Sequence, residues 1–318
     1  MSRLEVISFA DEHLDAAGEL LAARHRRHRL AEPLLPVAFE EPAAARAEVE
    51  ACWRKDGAAG AVAVRGDEMV GYLVGAPADD AIWGANVWVE LAGHAVDEPE
   101  VVRDLYAAVA EGWLAQGRHR HWAVVPASDT ALVDAWFRLS FGQQQAYGIS
   151  EVRETAWPHG VRKAEPRDVD ALLELAPLLS DHQLASPVFS GRALDWTVEE
   201  LRAEIEQDIE SEAIANLVFE LDGRVVANFE VVPVEGSSMQ TSLARPERAC
   251  YLGFAIVDPA ARGSGAGLAL TQASFAWAHE AGYETMVTDW RVTNLLASRF
   301  WPSRGFRTTF ARLYRSIP

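Results

Sequence analysis

The sequence predicts a mixed α/β protein in which one domain is built twice in tandem, and three observations carry that prediction. At 318 residues the chain is about twice a typical domain length. Two segments align without a gap, "GRHRHWAVVPASDTALVDAWFRLSFG" from Gly117 and "GYETMVTDWRVTNLLASRFWPSRGF" from Gly282, pairing Trp122 with Val287, Asp129 with Asn294, Trp136 with Trp301 and Phe141 with Phe306. Nearer the two starts, "DAAGELL" at Asp15 mirrors "DALLELA" at Asp170. The second half then reads ααβββαβαβ, the order of a mixed sheet with helices. "EVRETAWPHG", Glu151 to Gly160, marks the boundary.

Each element of the second copy follows from local chemistry. "PRDVDALLELAPLLS" has helical spacing, and "WTVEELRAEIEQDIE" repeats Leu201, Ile205 and Ile209 on one face with carboxylates opposite. "AIANLVFEL" and "VVANFEVVPV" are β-branched and apolar and flank Asp222-Gly223, a hairpin turn. "ACYLGFAIV" is a third buried strand. A glycine loop follows, then a helix from about Ser264 to Ala281 closed by Gly282, a strand "TMVTDW", a helix N-capped by Asn294 and a last strand "RTTFARLYRS".

Composition excludes several classes of function. The chain is 49% hydrophobic and 24% charged, and no window approaches the ~20 apolar residues of a membrane helix. The N-terminus does not resemble a secretion signal, so a cytoplasmic location is expected. Cys52 and Cys250 are far apart and lack metal-type spacing, so neither a disulfide framework nor a metal site is expected. A formal net charge of -18 repels nucleic acid and attracts small cations. The basic run "RHRRHR", Arg24 to Arg29, reads as a solvated helix C-terminus complementing the dipole.

"DPAARGSGAGLALTQ", Asp258 to Gln272, asks for an explanation of its glycines. A strand that ends before such a loop and a helix start gathers unpaired N–H groups and the positive end of a helix dipole, which suits a pyrophosphate. Gly263, Gly265 and Gly267 also suit a tight turn with no ligand. An ATP-binding P-loop is disfavoured, because Leu268 and Ala269 stand where Lys-Ser/Thr is needed. A dinucleotide fingerprint is disfavoured too, because about five residues separate Val257 from Arg262.

"AIVDPAARGSGAG" resembles the acyl-CoA-binding motif of the GNAT acyltransferases: a strand ending in valine, a short loop, then Arg/Gln-x-x-Gly-x-Gly/Ala, matched by Arg262, Gly265 and Gly267. "NLLASRFWPSRGF" is similar to the family's second signature, carried by Asn294, Phe300, Trp301, Gly305 and Phe306. The resemblance covers about Val161 to Pro318, and through the repeat a degenerate copy covers the first half. It implies two tandem GNAT-like domains, 1–152 and 160–318, each a mostly antiparallel mixed sheet flanked by helices. It also implies that amides of Arg262, Gly263, Ser264, Gly265, Ala266 and Gly267 hold the CoA pyrophosphate. Ala255, Ile256 and Val257 would pair with pantetheine, and the Ala255 N–H would polarise the thioester carbonyl. Direct attack by a neutral amine then needs a base and an acid but no metal.

The sequence departs from the family where a tyrosine often protonates the thiolate, for Trp301 stands there and is read as a pantetheine-packing wall. Tyr251, six before Val257, and Glu230, on the preceding strand, are the candidate catalytic residues. Cys250 alternates away from Tyr251 with no histidine beside it, and His279 reads as solvated.

In the first copy "DEPEVVRDL" occupies the place of the glycine loop, so Val101 and Arg103 replace glycines and Glu98, Glu100 and Asp104 surround the phosphate position. Carboxylates there repel a pyrophosphate, so this copy is expected to be structural or acceptor-shaping. Its tryptophans, including Trp83 and Trp88, are expected to fill an inter-domain core. The functional expectation is transfer of an acetyl or other acyl group from acyl-CoA to a small, cationic amine, by a monomer or homodimer. The alternative is a non-catalytic acyl-CoA-binding or regulatory protein.

Overall fold

The structure is a computed structural model that describes residues 3–80, 84–190 and 196–318; Trp83 lies outside the described residues. From the N-terminus come β1 (Leu4–Ser8), α1 (Leu14–Ala31), α2 (Pro42–Trp53), β2 (Ala59–Arg65), β3 (Glu68–Asp80), β4 (Gly84–Val89), β5 (His94–Val96), α3 (Val101–Ala115), β6 (Arg120–Pro126), α4 (Thr130–Phe137) and β7 (Gly142–Glu151). The second half continues with β8 (Val161–Lys163), α5 (Val169–Leu184), α6 (Val198–Glu210), β9 (Ala215–Leu221), β10 (Arg224–Pro233), β11 (Ala249–Val257), α7 (Ala266–Glu280), β12 (Thr285–Arg291), α8 (Leu295–Ser303) and β13 (Arg307–Ser316). The chain forms two compact units, Met1–Ala146 with Ser242–Arg245 and Thr308–Pro318, and Tyr147–Thr241 with Pro246–Arg307.

In the first unit the strands run β1-β2-β3-β4-β6-β13, with β5 also on β3. Every neighbouring pair is antiparallel except β4–β6. α3 and α4 cover a core that contains Leu105, Trp113, Leu132 and Trp136. Trp88 stacks on Trp122 at 5.1 Å, and Trp122 meets Tyr314 at 4.4 Å.

The second unit orders β12-β11-β10-β9-β8, with β7 beside β12. β8, β9, β10 and β11 pair antiparallel, and β11 pairs with β12 in parallel. Asp222 and Gly223 both take positive φ, 51° and 76°, as a two-residue turn between β9 and β10 requires.

The repeat is visible as matching local devices. Asp129 caps α4 by accepting from Leu132 N, and its counterpart Asn294 caps α8 by accepting from Leu296 N and Ala297 N. Trp136 meets Phe141 edge to face at 4.8 Å, and Trp301 meets Phe306 in the same manner at 5.5 Å.

The basic run at the end of α1 is not the solvated terminus its charge predicts. Arg24, His25 and His28 are buried. Arg24 donates to the carbonyls of His94 and Leu91, so its charge serves loop carbonyls rather than the dipole of its own helix. Burial holds His25 down at about 4 and His28 at about 3, so both imidazoles are neutral near pH 7. Among the described residues no helix is long and apolar enough to cross a membrane.

Candidate functional site

The site begins with a divergence of two parallel strands. β11 pairs with β12 only from Ala249 opposite Thr285 to Leu252 opposite Thr288, although β11 runs on to Val257. Alternate backbone groups of a strand face each neighbour, so beyond Leu252 those turned away from β10 lack a strand partner. On the other edge, Phe254 lies opposite Glu230 but Leu252 lies opposite Val231, so Gly253 is an extra residue in β11. Such a bulge bends a strand and re-aims its side chains.

The glycine loop follows at the end of this free edge. Asp258 accepts from Ala260 N at 2.8 Å and fixes the first turn. Gly263 and Gly265 take φ of 86° and 91°, a conformation that L side chains rarely adopt. Gly265 is the N-cap of α7 and offers no side chain to the helix amides. The first-turn amides of α7 therefore converge where the dipole is positive, and among the described residues only that of Ala266 meets a side chain, the Ser264 Oγ. A Cβ on Gly267 would meet Phe300 Cζ at 3.4 Å, whereas the space beside Gly263 and Gly265 is open.

Loop, free strand edge and α8 enclose one cavity of about 520 Å³. All the residues expected to hold the cofactor line it except Ser264, whose Oγ accepts from Ala266 N at 3.3 Å. Trp301 is buried in its wall, 5.9 Å from Phe229, 5.0 Å from Phe300 and 5.5 Å from Phe306. Leu179 and His182 of α5 also line it, and His182 Nε2 is buried without a hydrogen-bond partner among the described residues. Neither stands out in the sequence, because they belong to an ordinary helix far from the motif.

A second cavity, of about 300 Å³, shares Leu179 with the first. Glu230 lines it together with Phe254, Asn216, Asn228 and one face of α6. Desolvation, and then repulsion by Asp208 and Glu204, push the Glu230 carboxyl up to about 7. Asp208 and Glu204 are themselves raised, mainly by burial. The expectation that the carboxylates of this helix lie opposite Leu201 and Ile205 fails for these two: at i+3 and i+7 from Leu201 they share its face and line the cavity beside it.

Tyr251 lines neither of these two cavities. Its hydroxyl donates to Asp289 Oδ1 at 2.7 Å, and burial followed by that carboxylate raises it well above the ordinary phenol range. Cys250 is buried, with its thiol pushed up to about 12 by desolvation, so it holds no thiolate at neutral pH. His279 is exposed on the last turn of α7.

The counterpart of the glycine loop in the first unit is differently filled. Val101 is 2% exposed in the core at the start of α3. Glu98 pairs with Arg65, and Glu100 pairs with Arg103 and Arg138.

Residues 181–306 match the model of the Acetyltransferase (GNAT) family. No curated protein sequence matches the chain. Among solved structures it is similar to a GCN5-related N-acetyltransferase from Sphaerobacter thermophilus, at 15% identity and a TM-score of 0.57 over 99% of this chain and 96% of that one. It is also similar to the glucosamine N-acetyltransferase region of a fungal multi-domain GH3 β-N-acetylglucosaminidase, at 15% identity and a TM-score of 0.54 over 99% of this chain and 38% of that one. A tandem GNAT protein from the clavulanic acid biosynthesis pathway aligns at 15% identity and a TM-score of 0.49, over 99% of this chain and 98% of that one. At these identities the first two similarities establish a shared fold.

Proposed function

Residues 181–306 belong to the acetyltransferase (GNAT) family, and from that premise we propose that the second unit moves an acetyl or other acyl group from acyl-CoA to a primary amine. One observation carries the reading: a cavity that starts at the N-terminus of α7 and follows the free edge of β11 shares a wall residue, Leu179, with a second cavity lined by Glu230.

The residues present fit acyl-CoA. The amides of Gly265, Gly267 and Leu268, which no described side chain caps, suit a pyrophosphate, and the open space at Gly263 and Gly265 lets it approach. The unpaired strand edge suits the pantetheine amides, and the Trp301 cluster gives them an apolar wall. The donor supplies a thioester carbonyl, and a backbone N–H of β11 near Ala255 polarises it.

Glu230 is the base of this reading. A carboxyl poised at about 7 accepts a proton at neutral pH and stays ionised enough to do so. It takes one proton from the acceptor ammonium; the neutral nitrogen attacks the carbonyl carbon, the C–N bond forms and the C–S bond breaks, and the nitrogen gives its second proton to the water that protonates the leaving thiolate. The thiolate then takes its proton from water, because the Trp301 indole does not titrate in this range. Tyr251, held to Asp289, is assigned no proton transfer. The first unit, where Val101 and Arg103 stand in place of glycines and the Val101 side chain is packed into the core, is read as holding no acyl-CoA.

The test is release of free thiol from acetyl-CoA with a panel of primary amines. Thiol release that depends on the amine supports the reading. The absence of tyrosine at Trp301 favours one alternative, an acyl-CoA-binding or regulatory protein, and acetyl-CoA binding without release across the panel would select it.

A further inference from the structure

We propose that the acceptor is a short diamine, its reacting nitrogen at Glu230 and its second ammonium held between Asp208 and Glu204 of α6. The proposal rests on the acyl-transfer reading above and names the substrate that reading leaves open.

The acceptor cavity is a gradient of carboxylates. Glu230 and Asp208 are partly buried, and Glu204 is exposed at the rim. Leu201, Glu204, Ile205 and Asp208 are spaced i, i+3, i+4 and i+7, so one face of α6 carries both the apolar contacts that dock the helix and the two acids. Arg202, on the same helix, is turned to Asp170 and Glu206 instead. Among the described residues Glu204, Asp208 and Glu230 have no ion pair and no side-chain hydrogen bond. Other acids of this unit do pair, as the buried Asp168 and the exposed Glu220 both do with Arg162. Two partly buried acids, with a third at the rim and no cation on any of them, call for a cation from outside.

Other features of the cavity fit an ammonium on a short alkyl chain. Asn216, 6% exposed, accepts from Asn228 Nδ2 through its Oδ1, and its own Nδ2 has no partner among the described residues. That amide lies on the cavity, where its N–H groups can donate to the neutral reacting nitrogen but not to an ammonium. Leu172 and Ala176 give an apolar wall for methylenes, and Trp196, 51% exposed, stands on the same cavity with a face suited to a cation. A volume of about 300 Å³ is at the small end of ligand pockets, which fits a short diamine better than an oligosaccharide.

The experiment uses the full chain with acetyl-CoA and compares 1,4-diaminobutane, n-butylamine and 4-aminobutanoate by thiol release, alongside calorimetric binding of 1,4-diaminobutane. The expected kcat/KM is at least tenfold higher for the diamine than for n-butylamine, and lowest for 4-aminobutanoate, whose carboxylate meets Asp208. Asp208→Asn and Glu204→Gln, both near-isosteric, should raise the diamine KM tenfold or more and collapse its advantage over n-butylamine. Equal rates for the diamine and n-butylamine would overturn the proposal while leaving acyl transfer intact. Should no amine release thiol, the acyl-transfer reading falls; diamine binding lost in Asp208→Asn would still support the cation site, and no binding to the wild type would overturn it.

Discussion

Glu230 lies directly opposite Phe254 in the β10–β11 ladder, at the point where the bulge at Gly253 breaks the register. Both residues line the cavity proposed for the acceptor, while the next residue, Ala255, lines the cavity proposed for the acyl donor. Strand alternation lets β11 serve both cavities with consecutive residues, as β10 does with Phe229 and Glu230. The pairing of Glu230 with Phe254 also places a carboxyl beside the stretch of β11 that β12 leaves unpaired.

Glu230→Gln should lower kcat/KM by about 10²-fold or more, the contribution of a positioned base, with acetyl-CoA affinity unchanged. In the wild type the base is the ionised form, so kcat/KM should climb as pH rises through about 7 and lose that limb in the variant. A pH–rate profile of both proteins reads the effect; an unchanged limb in Glu230→Gln would assign it to another group.

Trp301→Phe should retain kcat within a few-fold, because the ring packs against Phe229, Phe300 and Phe306 and transfers no proton. Trp301→Ala should instead cost about 3–5 kcal/mol of stability by opening a cavity. Steady-state kinetics with chemical denaturation separates these outcomes. A hundredfold fall in kcat for a folded Trp301→Phe would make the indole part of the chemistry.

Acid should unfold the first unit through its buried histidines. His25, His28 and His94 are held at about 4, 3 and 3 by desolvation, well below the value of 6.5 for a solvated imidazole. Between those values the unfolded chain binds more protons than the folded one, so stability is full above about 6.5 and falls as pH drops toward 4. Denaturant titration at pH 7.5, 6 and 5 should show a falling midpoint. A His28→Gln, His94→Gln double variant that remains folded should flatten the dependence.

Much of the second unit was legible because its signals are local. Asn294, Asp222-Gly223 and the positive-φ glycines each act within a few residues, and the structure uses them as cap, turn and helix start. What the sequence concealed depends on distant partners. Arg24 is buried because carbonyls some 70 residues away need its donors, which no reading of "RHRRHR" contains. Glu204 and Asp208 follow the helical period of Leu201 and Ile205, yet only packing of α6 beside Glu230 and Asn216 makes that face a cavity wall. The bulge at Gly253 is likewise invisible in "ACYLGFAIV", because it exists only in the register with β10.

The most direct test of the account is calorimetric titration of acetyl-CoA into the wild type and Gly265→Glu, with circular dichroism to confirm that both are folded. A carboxylate at the N-cap of α7 would face the pyrophosphate, on a backbone whose φ of 91° already disfavours a side chain. The account predicts one site per chain in the wild type, weakened at least tenfold in the variant. Two sites, or one site that survives in a folded Gly265→Glu, would place the acyl donor elsewhere and contradict it.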